Sequence, residues 1–188
     1  TSSTPTRSWT LTGPYGSGKS FFGLFMMNLM GKTQTSHDFV FEQLKEVDEP
    51  LAKHVQRTLN HGSTQGLLPV PITGYRAPLQ TCIKHGLLQS LERLHGNGKA
   101  KSLATKLEDW SAQTESRVII AWLKDFLDVI THPELGYSGM LCIFDEMGKT
   151  LEFAGSHPDE TDIYLLQELA EFSNRSGDTP LVFVGILH

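Results

Sequence analysis

Short apolar runs alternate with helical stripes along this chain, and that alternation predicts its fold. Four runs read as strands, at residues 9–12, 67–74, 139–146 and 180–188. The first has the size and composition of a short buried strand. The second carries Pro69 and Pro71, which cannot donate to a ladder and suit an edge position. The third holds Met140, Leu141, Cys142, Ile143 and Phe144 in unbroken succession, the pattern of a parallel strand buried on both faces.

Between the strands the period is helical. Residues 21–30 are apolar nearly all round, so that helix is expected to be buried on most faces or covered by another domain or subunit; Gly31 is its expected stop. Residues 36–60 carry an irregular apolar stripe, with Pro50 dividing two helices or beginning the second. Leu79, Ile83, Leu87, Leu91 and Leu94 mark a helix over 77–94, and shorter and longer helices follow at 103–110 and 115–131. A last helix at 162–175 turns Ile163, Leu165, Leu166, Leu169, Ala170 and Phe172 to the core. Residues 61–66 and 95–101 read as loops, the second flexible and basic. Residues 147–160 read as a loop or short helical link around Gly148, Gly155 and Pro158. Strands separated by helices predict an α/β fold with a doubly wound, mainly parallel sheet and flanking helices.

Composition narrows the setting. The chain has 188 residues, with 39% hydrophobic and 20% charged positions, ordinary values for a globular domain. Its net charge of -5 supplies no bulk reason to expect DNA as a partner. Cys82 and Cys142 lack metal-type or redox-type spacing and sit among apolar neighbours, so buried reduced thiols in a cytoplasmic setting are expected. No apolar run approaches membrane-spanning length, and residues 1–8 read as a polar linker ahead of one core at 9–188.

Two stretches carry chemistry. Gly13-Pro14-Tyr15-Gly16-Ser17-Gly18-Lys19-Ser20 fits G-x-x-x-x-G-K-[ST], placed between a strand and a helix. Gly13, Gly16 and Gly18 let the backbone turn its N–H groups inward as an anion nest, to which the following helix adds its positive end. Lys19 can bridge the β- and γ-phosphates of a nucleotide and the Ser20 hydroxyl can ligate Mg²⁺. Tyr15 covers the phosphates or packs, and Phe21 follows directly. In the second stretch, Asp145 and Glu146 end the apolar strand, a costly place for two carboxylates unless they face a cleft or a metal. Asp145 is the candidate for Mg²⁺ and Glu146 for polarising an attacking water, with Lys19 as its catalytic companion. His188 ends the last strand; in the class of P-loop ATPases with an extra strand between the two Walker strands, which these two stretches resemble, that position senses the γ-phosphate, so the resemblance makes His188 a candidate sensor unless it merely begins the next loop. Arg76 is a weaker candidate for the same edge. Arg175 lies before the last strand, where a structural role is expected.

The two stretches together resemble the Walker A and Walker B motifs of additional-strand P-loop ATPases, the class that includes AAA+ and STAND proteins. More narrowly, residues 145–152 and 162–170, Asp-Glu-Met-Gly-Lys-Thr-Leu-Glu and Asp-Ile-Tyr-Leu-Leu-Gln-Glu-Leu-Ala, look like the ATPase segment of large bacterial BREX-type phage-defence proteins. The resemblance implies ATP and Mg²⁺ as cofactors, hydrolysis coupled to a switch or motor, and other domains or subunits as partners, with DNA among the options. It also implies a core incomplete at its carboxyl end, within a longer multidomain protein. A non-hydrolysing nucleotide-binding regulatory module and a P-loop kinase are the alternatives. The kinase lacks a recognisable acceptor pocket and lid, and a GTPase lacks its N-K-x-D pattern.

Overall fold

The computed structural model describes residues 6–31, 34–59, 65–94 and 98–187. Four parallel strands, β1 (Ser8–Thr12), β2 (Leu67–Thr73), β3 (Gly139–Asp145) and β4 (Leu181–Leu187), form one sheet in the order β1-β4-β3-β2. The chain is therefore α/β, with an all-parallel sheet flanked by helices. β2 stands at an edge, as its prolines require. The central β3 is buried from Gly139 to Phe144, and its alternate residues serve two cores. Met140, Cys142 and Phe144 join the larger one, and Leu141 and Ile143 the smaller.

The larger core packs the sheet against α4 (Leu79–Glu92), α5 (Gly98–Glu108), α6 (Ser116–Ile130), α7 (Met147–Ser156) and α8 (Tyr164–Arg175). The opposite face receives α1 (Lys19–Met30), whose Met26, Met27 and Met30 cover Leu141, Ile143 and Ile186. Outside α1 lie α2 (Gln34–Val47) and α3 (Glu49–Leu59), divided near Pro50 as the sequence suggests.

Several expectations change. β1 is an edge strand rather than a buried one, because it pairs only with β4 among the described residues, and Trp9 is 57% exposed. It begins at Ser8, and Arg7 is bound into the fold: its N–H donates to Asn174 Oδ1 and its guanidinium to Ser176 Oγ and the Gly177 carbonyl. The helix α1 is not buried on most faces. Only one side meets the sheet, and Phe21, Phe22 and Leu24 are exposed. With Phe39, Val40, Leu44 and Val47 of α2, residues Phe21, Leu24 and Phe25 line an open apolar groove of about 920 Å³. Of the two alternatives for residues 147–160, a loop or a short helical link, the helical one holds: residues 147–156 form the ten-residue helix α7, held because Met147, Thr150 and Ala154 are buried beneath it. Residues 98–101, read as loop, are the first turn of α5, where burial of Ala100 and Leu103 outweighs the poor propensity of Gly98. Residues 95–97 of that expected loop lie outside the described residues. Ile163 is exposed, at 52%, and Leu165 and Leu169 carry the core contact of α8.

Both cysteines are free and buried. Burial pushes the Cys142 thiol up to about 12, so it stays protonated and packs as a small apolar side chain. Among the described residues no helix is long and apolar enough to cross a membrane.

Candidate functional site

In a parallel sheet every strand ends at the same edge, and the register fixes how closely the ends align. Thr12 of β1 pairs with Leu187 of β4, Phe144 of β3 with Gly185 of β4, and Thr73 of β2 with Asp145 of β3. Leu187 lies two residues beyond Gly185 and Glu146 two beyond Phe144. Thr12, Leu187 and Glu146 therefore stand at one level, and the 13–20 loop leaves β1 where the Asp145–Glu146 pair leaves β3. β4 separates the two.

The loop owes its shape to glycine. Gly16 and Gly18 have φ of +75° and +84°, values that disfavour any residue with a Cβ. Gly18 is also the N-cap of α1 and offers no capping side chain, and no acidic residue stands in the first turn. Among the described residues, the one backbone hydrogen bond inside the loop runs from Ser17 N–H to the Pro14 carbonyl, at 3.4 Å. The first N–H groups of a twelve-residue helix thus lack capping acceptors, an electrostatic setting that favours an anion.

Lys19 is folded into this loop and only 6% exposed. Its ammonium donates to the carbonyls of Gly13 and Pro14, both at 2.7 Å, and to Ser17 Oγ at 3.2 Å. All three acceptors are neutral. Among the described residues no carboxylate pairs with it, so its charge is uncompensated within the loop. Ser20 and Tyr15 are exposed. Phe21 is 72% exposed and lies along the apolar groove beside α1.

At the end of β3 the backbone bends sharply. Glu146 has φ of 53°, the one positive value at a non-glycine residue among those described, and it caps α7 without a side-chain bond. Its N–H donates to Asp145 Oδ1 at 2.8 Å. Gly74, just past β2, donates its N–H to the Asp145 carbonyl at 2.7 Å. A Cβ on Gly74 would overlap the Glu146 carbonyl oxygen and lie 2.7 Å from its carbon. Backbone cannot rotate aside as a side chain can, so Gly74→Ala must displace the Glu146–Met147 peptide, and with it the backbone that carries the Glu146 side chain. The expected cost is about 1–3 kcal/mol of stability, the usual range for overpacking, with a fall in any activity that needs the two carboxylates. Denaturant melts and activity of the variant check both.

Lys149, one turn into α7, places its Nζ 2.5 Å from Glu146 Oε2. The hydrogen bond to Glu146 raises the Lys149 pKa, and Glu146, Tyr15 and Asp145 add to it electrostatically. Asp145 ends β3, so Lys149 lies within electrostatic reach of that carboxylate as well as of Glu146. Behind it, the buried Thr150 donates its hydroxyl to the Tyr75 carbonyl at 3.1 Å and lies 3.5 Å from Cys82 Sγ, tying α7 to the segment after β2.

Two side chains carry oxygens of the kind a hard divalent cation takes: Ser20, with an exposed hydroxyl, and Asp145, whose Oδ1 accepts from the Glu146 N–H. That is a partial donor set. The described residues hold no cluster of three or more His, Cys, Asp or Glu for a metal. It suits Mg²⁺, which keeps several waters and takes further oxygens from phosphate, better than a cation needing a protein cage.

The chain matches no protein-family model, no curated protein and no solved structure. Its functional reading rests on its own residues.

The remaining candidates separate. Arg76 is exposed and 4.0 Å from Glu152. Arg175 closes α8 at the opposite, amino edge and pairs with Glu171 at 3.6 Å. His188 lies outside the described residues. Sequence reasoning gave no role to Gly74, Lys149 or Thr150. A glycine directly after an edge strand and a lysine three residues after Glu146 were visible signals, but their contacts are tertiary or conformational.

Proposed function

We propose that this chain is a P-loop ATPase core of the additional-strand class, which binds Mg-ATP on the 13–20 loop and hydrolyses it. The observation that carries the reading is the register. The glycine-shaped loop with a buried, uncompensated lysine and the Asp145–Glu146 pair leave the sheet at one level, with one strand between them. The strand β4 interposed between the two stretches supports the additional-strand reading.

In this reading the loop N–H groups and the Lys19 ammonium bind the β- and γ-phosphates, trading neutral carbonyl acceptors for charged ones. Ser20 and Asp145 are the residues that would hold Mg²⁺, which when bound neutralises charge on the phosphates. Glu146 orients a water and takes its proton as that oxygen attacks the terminal phosphorus, while the bond from that phosphorus to the β–γ bridging oxygen breaks and ADP leaves with the electron pair. The backbone bend at Glu146, held from behind by Gly74, fixes where that carboxylate starts. The switch or motor role, and a place in a bacterial assembly such as phage defence with other domains, subunits or DNA as partners, rest on the sequence resemblance alone.

One observation favours a second reading, a nucleotide-binding module that does not turn over. Glu146 Oε2 is already engaged by the Lys149 ammonium, so that oxygen is not free to take up a water. Phosphate release from Mg-ATP separates the two. Sustained, Mg²⁺-dependent release supports the ATPase, whereas saturable ATP binding without release supports the regulatory module.

A further inference from the structure

Lys149 stands where helix electrostatics disfavour it. It is the third residue of α7, and the first turn of a helix favours anions over cations. No acidic residue offsets it within that turn. Its partner Glu146 precedes the helix in the left-handed conformation. An exposed pair of this kind contributes little to folding, so stability gives no strong reason for the placement.

The surroundings give a better one. The N-cap of α1 is Gly18 and that of α7 is Glu146, both in the left-handed conformation and neither making a side-chain cap bond. Two uncapped helix N-termini thus leave the same sheet edge, one after β1 and one after β3. Lys19 supplies the cation on the loop side. On the β3 side the Lys149 ammonium is held by Glu146, with the Asp145 carboxylate adding to the field on it. Arg76 and Arg175 are paired elsewhere.

We infer that Lys149 reads the terminal phosphate of the bound nucleotide, leaving Glu146 for it and so freeing that carboxylate to engage water. The inference rests on the nucleotide-binding reading above and adds a regulation to that site. A triphosphate brings more negative charge than one carboxylate. The exchange is inexpensive because the existing pair is exposed, with side chains 45% and 31% accessible. A diphosphate lacks the group that draws Lys149 across, so Glu146 stays engaged. The pair is then a latch that opens for ATP and closes after phosphate leaves.

The test is equilibrium binding of Mg-ATP and Mg-ADP to the parent chain, Lys149→Ala and Lys149→Arg. A charge-assisted contact confined to the terminal phosphate predicts that Lys149→Ala lowers the ATP-over-ADP preference by about tenfold. Its ADP affinity should remain within about threefold of the parent, and Lys149→Arg should keep most of the preference. An unchanged preference in Lys149→Ala overturns the inference. So does an equal loss of affinity for both nucleotides, which would mark Lys149 as a structural support. If the parent binds neither nucleotide, the site reading itself fails and the inference falls with it. That outcome is distinct from binding that ignores Lys149.

Discussion

Lys19→Ala is expected to weaken Mg-ATP binding by roughly 10- to 150-fold, the span of about 1.5–3 kcal/mol for a hydrogen bond to a charged group. The prediction follows from how the ammonium is held. Lys19 is nearly enclosed, at 6% exposure, and all of its recorded partners are oxygens of its own loop. A bound phosphate would replace neutral acceptors with a charged one, so the side chain gains most when the ligand arrives. Alanine removes that gain and the three contacts that brace the loop. Thermal melts should show a folded variant, because the sheet packs against α1 through Gly23, Met26, Met27 and Met30 instead. Parent-like affinity in a folded Lys19→Ala protein would contradict the site.

The second large effect is on chemistry. Glu146→Gln should bind Mg-ATP as the parent does and lose at least about 100-fold in single-turnover hydrolysis, the lower end of general-base contributions. Glutamine keeps the length and the left-handed backbone demand of Glu146, whose φ is 53°. It therefore changes basicity with little change in shape. It also breaks the charge pairing with Lys149, and binding measured beside turnover keeps the two effects apart. Unchanged turnover would remove Glu146 as the water activator. The other carboxylate, Asp145, cannot be tested as cleanly because its Oδ1 supports the Glu146 N–H.

Local features of this fold were legible and tertiary ones were not. The apolar run over residues 140–144 announced a strand buried on both faces, and Pro69 and Pro71 announced an edge, because each depends on one strand's own donors and surfaces. The 13–20 pattern announced its loop because Gly16 and Gly18 meet a local backbone demand. Burial of β1 could not be read from Trp9-Thr10-Leu11-Thr12, since it depends on where that strand falls in the order β1-β4-β3-β2. The exposure of Phe21, Phe22 and Leu24 was hidden for a similar reason. An apolar helix does not reveal which of its faces will lack a neighbour. Gly148, Gly155 and Pro158 left loop and short helix both open for α7, and burial of Met147, Thr150 and Ala154 decides for the helix. Gly74 looked like the end of a strand. Its importance comes from the Asp145–Glu146 backbone pressed against it, which belongs to a segment some seventy residues away.

The most direct test of the central claim is a calorimetric titration of the protein with Mg-ATP and, in parallel, Mg-GTP. The account predicts saturable binding of one nucleotide per chain that depends on Mg²⁺ and favours ATP. A folded protein that takes up no heat from either nucleotide would contradict the assignment of residues 13–20 as a phosphate-binding loop.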